Sequence, residues 1–469
     1  MGKEYDKMQN LKRISTITYI SLFSSILASI FLIMGVLPSS GDIKRPKAKT
    51  NVEGNKFMGA GSCASSNCHG AAQARNVEGI DINQNEYSIW FAKDEHRNAF
   101  NILLDPRSVR IAKNLRLPDA PDESEKCLVC HTTYAPAALW SGDFDFSDGV
   151  SCESCHGTAE KWIGPHTQKD WNETKAAELG MFDTENLYSR AEQCLSCHIG
   201  DETKTVDHEM IAAGHPDLNR FELDTFLALM PPHWRKNQDN AWEETEIWAI
   251  GQVTVLKQSM DQLERRANNQ SSNPWPEFAE YNCYGCHHDL EVDSWRQTAG
   301  YQGRTPGYPV WNSARYILVK PIADRISPDL SSNLTRDVAS LTRLLDRLGL
   351  ETQSQISTTA TEISSGVADI EMGLKDLKFD ENLTYDLLIN ISGDGDNIAK
   401  AGIRSAQQSA VALETLFFNY SQNIHGPYDG QINTAINELF NYLEHPESYR
   451  PSQFLSQMNS INQLLRGNR

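Results

Sequence analysis

The sequence is poor in positive charge, and its hydrophobic residues are concentrated in one N-terminal run. It has 43 basic against 62 acidic residues, which gives a formal net charge of −19. This balance excludes the basic surface that nucleic-acid-binding proteins use, and it favours solubility and docking onto basic partner proteins. Hydrophobic residues make up 39% of the chain. Because many of them lie in the N-terminal run, we expect something other than side chains to fill part of the interior.

The sequence also lacks an unpaired cysteine. Its ten cysteines form five pairs, and a histidine directly follows the second cysteine of every pair. Four pairs have two intervening residues, and the first has four. The five motifs are Cys63/Cys68/His69, Cys127/Cys130/His131, Cys152/Cys155/His156, Cys194/Cys197/His198 and Cys283/Cys286/His287.

This spacing is typical of covalent haem attachment. Two thiols bond to the two vinyl groups of one porphyrin, and the adjacent imidazole meets its iron. Structural zinc sites also use cysteine pairs, but each zinc ion takes its four ligands from two such pairs. Five pairs would leave one without a partner. Disulfide pairing is the other alternative, and it gives no reason for the five histidines. We therefore predict five haem c groups per chain, with their iron, held by the ten cysteines and the five motif histidines.

Eight of the thirteen histidines lie outside the motifs, and several of them are candidates for the second axial position of an iron. His208 and His215 are seven residues apart, which would place them on one helical face. His288 follows a motif histidine and would point about 100° away from it on a helix, towards a neighbouring haem. The predicted distal ligands are His96, His166, His208, His215 and His288. His233 is left open, and His425 and His445 are expected at the surface.

Residues 14–37 carry no charged side chain, and these 24 residues suffice to span a bilayer as a helix. A cleaved signal peptide usually has a shorter apolar region, so we favour a retained membrane anchor. Lysine and arginine lie on both sides of the run and do not decide its orientation. Because haem is attached outside the cytoplasm, we expect a bacterial cytoplasmic membrane protein with its bulk in the periplasm.

The chain is expected to be mainly α-helical and to have four parts. Residues 1–38 form the anchor, 39–56 a linker, 57–300 the pentahaem domain with sparse helices, and 301–469 a C-terminal helical bundle. Apolar periodicity predicts one long helix near 242–267 in the haem domain. In the last part it predicts a helix that ends near Gly349 and helices near 397–423 and 430–444.

Several segments, in this order, resemble the cytochrome c-554 family and related multihaem cytochromes such as hydroxylamine oxidoreductase. They are Trp90 with His96, the run Gly149–Gly157 followed by His166, the run Arg190–His198, and Ala212-Ala-Gly-His-Pro216. The resemblance implies closely packed haems in stacked and perpendicular pairs, mostly with two histidine ligands. It implies that His96, His166 and His215 are distal ligands, and that the haem of His131 has an open face.

Two functions follow from these expectations. The first is a membrane-anchored periplasmic electron carrier that exchanges electrons with a quinol-oxidising membrane complex or a soluble periplasmic cytochrome. If every iron has two histidine ligands, no position is open for a substrate. The alternative is an oxidoreductase that acts on nitric oxide, hydroxylamine or nitrite at a five-coordinate haem.

Overall fold

The computed structural model describes residues 54–75, 82–218, 221–234, 240–268, 275–287 and 308–469. These residues are mainly α-helical, as predicted, and they contain two isolated β-bridges and no β-strand. The predicted anchor at 14–37, most of the linker and His288 lie outside the described residues. Among the helices in the described ranges, none is both long and apolar enough to cross a bilayer.

Short helices separated by loops make up the part of the chain that carries the motifs. The α-helices of this part are α1 Glu86–Lys93, α2 Ala99–Leu103, α3 Pro106–Asn114, α4 Glu125–His131, α5 Cys152–His156, α6 Glu173–Leu179, α7 Leu187–His198, α8 His208–Ala213, α9 Leu223–Leu229 and α10 Glu243–Ala267. Single 3₁₀ turns lie at Ala60–Cys63, Glu95–Asn98, Ala137–Leu139, Phe146–Asp148, Pro165–Thr167, Phe278–Glu280 and Cys283–Gly285.

Helix α10 confirms the prediction of one long helix near 242–267. Its first turn carries three glutamates and its last turn Arg265 and Arg266, the charge order that a helix dipole favours. Val253, Leu256 and Leu263 on its apolar face are buried. At Gly251 a Cβ atom would lie only 2.6 Å from Cβ of Leu223, so the glycine is what allows α9 to approach α10 closely.

In residues 308–469, eight helices, most of them long, form the cysteine-free C-terminal part. They are α11 Ala314–Ile326, α12 Pro328–Leu344, α13 Gln353–Lys375, α14 Glu381–Gly393, α15 Gly395–Ala401, α16 Ile403–Asn423, α17 Asp429–Leu443 and α18 Pro451–Gly467, with 3₁₀ turns at Asp346–Gly349 and Pro446–Ser448. The helix predicted to end near Gly349 is α12 with its following turn. The helix predicted near 397–423 is divided in two at Gly402, where φ is +105°.

The largest apolar core is shared between α10 and the C-terminal helices. It runs from Trp248 to Leu465 and includes Tyr281 and Trp311, so it crosses the predicted boundary at residue 300. Apart from α10, the described residues of the motif-bearing part form two small clusters of buried apolar residues, one around Leu195 and one around Leu128. Its side chains therefore fill little of its interior, in agreement with the expectation from composition.

Buried polar contacts also join the two parts. Oγ1 of Thr245 on α10 donates a hydrogen bond of 2.7 Å to Oδ1 of Asn419 on α16. The carboxyl group of Glu222, which is buried, accepts hydrogen bonds from Gln252 on α10 and Gln408 on α16. Such buried groups need their partners, so they restrict how the bundle can pack against the motif-bearing part.

Candidate haem site

Each described motif lies in or beside a short helical segment. Helices α4, α5 and α7 have a motif histidine, His131, His156 or His198, as their last residue. Residues three apart lie on the same face of a helix, so both thiols of each of these pairs can reach one porphyrin edge. The first motif begins at Cys63, the last residue of the turn Ala60–Cys63. The fifth motif begins with the turn Cys283–Gly285.

The cysteines are unusually accessible for free thiols. Unpaired cysteine is normally among the most buried residue types, yet eight of the ten side chains here are half-buried and two are exposed. In the part of the chain that the structure describes, no three or more His, Cys, Asp or Glu side chains are arranged to hold a metal ion directly. This arrangement does not fit tetrahedral zinc, and it fits thiols that a porphyrin would cover.

Two thiols, those of Cys68 and Cys286, are more exposed than the other eight. The sequence predicts that both hold haem, but the fold does not enclose either side chain, whereas it half-buries the other member of each pair, Cys63 and Cys283. Cys68 ends the longer spacer of the first motif and therefore lies beyond the 3₁₀ turn that contains Cys63. Cys286 caps the turn Cys283–Gly285, one residue before the described segment ends. The attachment of these two thiols to haem stays a prediction.

Four of the motif histidines face a second histidine ring. The centroid separations are 6.2 Å for His69–His166, 6.2 Å for His96–His198, 6.4 Å for His131–His215 and 6.4 Å for His208–His287. Two imidazoles that bond one metal ion from opposite sides, with bonds of about 2 Å, have centroids about 6 Å apart. The four pairs therefore have the separation that a doubly ligated haem iron requires.

The remaining motif histidine, His156 of the third motif, lies near His233. Burial, followed by the neighbouring His233, lowers the pKa of His156 to about 4. The Nδ1 atom of His156 is buried and has no hydrogen-bond partner among the described residues. An imidazole in this environment is neutral at ordinary pH, which is the form that binds a metal ion.

The Nδ1 atoms of five paired histidines face hydrogen-bond acceptors. His131, His166 and His215 face the backbone carbonyls of Ala99, Trp162 and Pro216 at 3.0, 3.1 and 2.7 Å. A hydrogen bond from Nδ1 fixes the ring and leaves Nε2 for a metal ion, as in most metal-ligating histidines. This observation supports the fit of the residues to haem.

The other two acceptors are carboxylates. Oε2 of Glu86 lies 3.0 Å from Nδ1 of His69, and Oδ1 of Asp94 lies 2.9 Å from Nδ1 of His96. Burial raises the pKa of each carboxyl, but the hydrogen bonds to histidine and to backbone N–H groups outweigh it, so both pKa values lie below the ordinary value. Both groups are therefore carboxylates at neutral pH.

Contacts between motifs arrange them in a series. The thiols of Cys63 and Cys152 lie close enough to shift each other's pKa, and so do those of Cys130 and Cys197. The thiol of Cys155 interacts with those of the 194–198 motif. His208, the first residue of α8, lies against His287 of the fifth motif. His215, which follows α8, lies against His131 of the second motif. These contacts favour a series in the order 63–69, 152–156, 194–198, 127–131 and 283–287.

Glu153, a spacer residue inside the third motif, holds the first motif in place. Its carboxylate is 4% exposed and accepts hydrogen bonds from the N–H groups of Met58, Gly59 and Ala159 at 2.9, 2.8 and 2.7 Å. Sequence reasoning did not identify this role. Nothing in the spacing of the motif reveals which spacer side chain points inward.

Four predicted distal ligands each lie against a motif histidine in the structure: His96, His166, His208 and His215. His233, whose role the sequence left undecided, lies near the motif histidine His156. His288 lies outside the described residues. The side chain of His425 is 82% exposed, as expected for a surface residue. The Pro-Pro-His-Trp context of His233 was the only sequence signal for it, and its partner lies 77 positions earlier in the chain.

The comparisons agree with the geometry. The family model for cytochrome c554 and c-prime matches residues 62–157, which contain the first three motifs. No curated protein and no solved structure matches the chain. A protein of this family binds haem c and its iron covalently and takes part in electron transfer. The match over residues 62–157 confirms the resemblance to the cytochrome c554 family that is seen in the sequence.

Proposed function

We propose that this protein is a pentahaem electron carrier in which every haem iron has two histidine ligands. The observation that carries the proposal is the set of four imidazole pairs with centroids 6.2–6.4 Å apart. The proximity of His233 to His156 supports a fifth pair. A bound haem would supply a one-electron ferric/ferrous couple, with a potential that axial ligands and nearby hydrogen bonds set.

The residues of the chain would bind, orient and shield these groups. The ten cysteines would form the thioether bonds, and the ten paired histidines would ligate from both sides. Backbone carbonyls and two carboxylates would hold the imidazole rings in fixed orientations. The contacts between motifs support one continuous series of redox sites, which is the arrangement that electron transfer across a protein requires.

The alternative is an oxidoreductase that acts on nitric oxide, hydroxylamine or nitrite. It needs an open coordination position, which the family resemblance placed at the haem of His131. His215 faces His131 at 6.4 Å, and this separation favours the carrier. We further propose that residues 14–37 anchor the protein in the bacterial cytoplasmic membrane, with its bulk in the periplasm. Its partners would be a quinol-oxidising membrane complex or a soluble periplasmic cytochrome.

The test uses the full-length protein purified from a host that attaches haem c. A pyridine haemochrome assay together with intact mass should give five haems per chain, and low-temperature electron paramagnetic resonance of the oxidised protein should give only low-spin ferric signals. A high-spin signal at the level of one iron per chain would overturn the carrier in favour of the enzyme. Zinc in place of haem would overturn both.

A further inference from the structure

Helix α1, Glu86–Lys93, has a carboxylate at each end, and each carboxylate contacts a different candidate haem ligand. Glu86, its first residue, contacts Nδ1 of His69 at 3.0 Å. Asp94, its C-terminal cap, contacts Nδ1 of His96 at 2.9 Å. The helix has eight residues and is therefore about 12 Å long, so one rigid element serves two sites.

Both carboxylates are held in place by other hydrogen bonds. Oε1 of Glu86 accepts from the N–H groups of Asn83 and Gln84 at 2.7 and 3.0 Å. Oδ1 of Asp94 also accepts from the N–H of His96 at 3.0 Å, and the side chain is 4% exposed.

The helix itself is tied to the third motif. Nε1 of Trp90 donates a hydrogen bond of 3.0 Å to the carbonyl of Val150. Gly149, with φ of +75°, packs so closely on the 96–97 backbone that a Cβ atom would lie 2.6 Å from the carbonyl oxygen of His96. The two carboxylates are therefore fixed relative to the imidazoles and do not need to rearrange when the charge of an iron changes.

Three of the other paired histidines have uncharged partners. His131, His166 and His215 face backbone carbonyls. A carboxylate that accepts the Nδ1–H hydrogen bond makes the imidazole a stronger electron donor than a carbonyl does. A stronger donor stabilises ferric iron more than ferrous iron, and burial of the carboxylate strengthens the effect because water screens it less.

We infer that Glu86 and Asp94 are positioning residues that lower the reduction potentials of the haems held by His69 and His96. The inference rests on the proposed function, since it requires haem at these histidines. His69 belongs to the first site of the series, and His96, through His198, to the third. The site of His156 lies between these two sites in the series.

The experiment compares Glu86→Gln and Asp94→Asn with the parent in the full-length holoprotein. Both changes remove the charge. Asp94→Asn keeps the one oxygen that accepts from His96, whereas Glu86→Gln keeps one of the two oxygens that accept hydrogen bonds. Potentiometric titration is followed by electron paramagnetic resonance, which distinguishes the two sites because their imidazole planes differ. The His69–His166 planes are 11° from parallel, and the His96–His198 planes are at 83°. Glu95→Gln is the matched control, because it removes an exposed charge directly beside His96.

We expect Glu86→Gln to raise the midpoint potential of the near-parallel component, and Asp94→Asn to raise that of one near-perpendicular component. Glu95→Gln should move neither by a comparable amount, because solvent screens an exposed charge. Unchanged potentials in both variants, with five low-spin haems present, would overturn this inference and leave the proposed function standing. A parent protein without low-spin haem would overturn the proposed function itself. If one variant fails to incorporate haem, the other tests the inference independently.

Discussion

The imidazole planes of His131 and His215 stand at 87° to each other, with their centroids 6.4 Å apart. The planes of His69 and His166 are within 11° of parallel at nearly the same separation. In low-spin ferric haem, perpendicular imidazoles leave two iron d orbitals close in energy, whereas parallel imidazoles separate them. The two arrangements therefore differ in magnetic anisotropy, although their ligands are the same.

We expect the oxidised protein to show both highly anisotropic and rhombic low-spin signals. Replacing His215 by alanine should remove one highly anisotropic component and create a high-spin signal that responds to added nitric oxide. The control is His425→Ala, whose side chain is 82% exposed and which should leave every signal unchanged. An unaltered spectrum in His215→Ala would show that His215 is not a ligand.

His233 should be the distal ligand opposite His156. His233→Ala is expected to give one high-spin iron per chain, because each of the other motif histidines already faces a different imidazole. His288→Ala is the informative comparison, since the sequence predicted His288 as a ligand. If only His288→Ala produces the high-spin signal, the pairing of His156 with His233 is wrong.

Glu222 should make stability depend on pH. Burial, and then the neighbouring Asp224, raise the pKa of Glu222 from 4.5 to about 8, although the hydrogen bond from Gln252 opposes the shift. Between these two pH values the unfolded chain releases the proton and the folded chain keeps it. The free energy of unfolding therefore falls as the pH rises through this window, on the order of 5 kcal/mol in all.

Urea unfolding between pH 5 and 8.5 measures this dependence. Glu222→Gln removes the titration, so its unfolding free energy should fall less with pH than that of the parent. Glu209→Gln, an exposed replacement, should follow the parent. Equal pH slopes for Glu222→Gln and the parent would mean that Glu222 does not titrate in this range.

Glu153 should be essential for the stability of the first motif. Glu153→Ala leaves three N–H groups, those of Met58, Gly59 and Ala159, without their acceptor. Each buried unsatisfied donor costs about 1–3 kcal/mol, so we expect a loss of at least about 3 kcal/mol in thermal or chemical unfolding. Glu160→Ala, which removes one exposed hydrogen bond to the N–H of Lys56, should cost less than about 1 kcal/mol. Similar losses in the two variants would contradict the role of Glu153.

The shared core should make the two parts of the chain unfold together. Leu263 on α10 is fully buried in the core that α10 shares with the C-terminal helices, and Leu263→Ala should lower the unfolding free energy by about 2–5 kcal/mol. The Soret band and the far-ultraviolet circular dichroism should shift to the same new midpoint. Leu350→Ala, with a side chain 58% exposed, should change little. Separate midpoints for the two signals would indicate independent domains.

Local spacing was sufficient for the features that depend on a few consecutive residues. Cysteine pairs followed by histidine predicted the haem motifs, because attachment requires three side chains that only a short loop brings together. Apolar periodicity predicted α10, because that pattern repeats within the helix itself. The break at Gly402 inside the helix predicted near 397–423 was not foreseen, since periodicity continues across a single residue with positive φ.

Spacing alone did not reveal how the fold surrounds each thiol. Cys68 and Cys286 belong to the same kind of motif as the other eight cysteines, yet these two are exposed and the others are half-buried. The difference depends on which segments pack over a motif, and the motif itself does not encode that packing.

The pairing of histidines depended on contacts between distant segments. His166 faces His69 from 97 positions away, and His233 lies near His156 from 77 positions away. Sequence distance carries no information about such pairs, because loop closure and helix packing decide which imidazole meets which. The carboxylates at the ends of α1 are a further example. Glu86 and Asp94 are ordinary acidic residues in the sequence, and only the fold places them against His69 and His96.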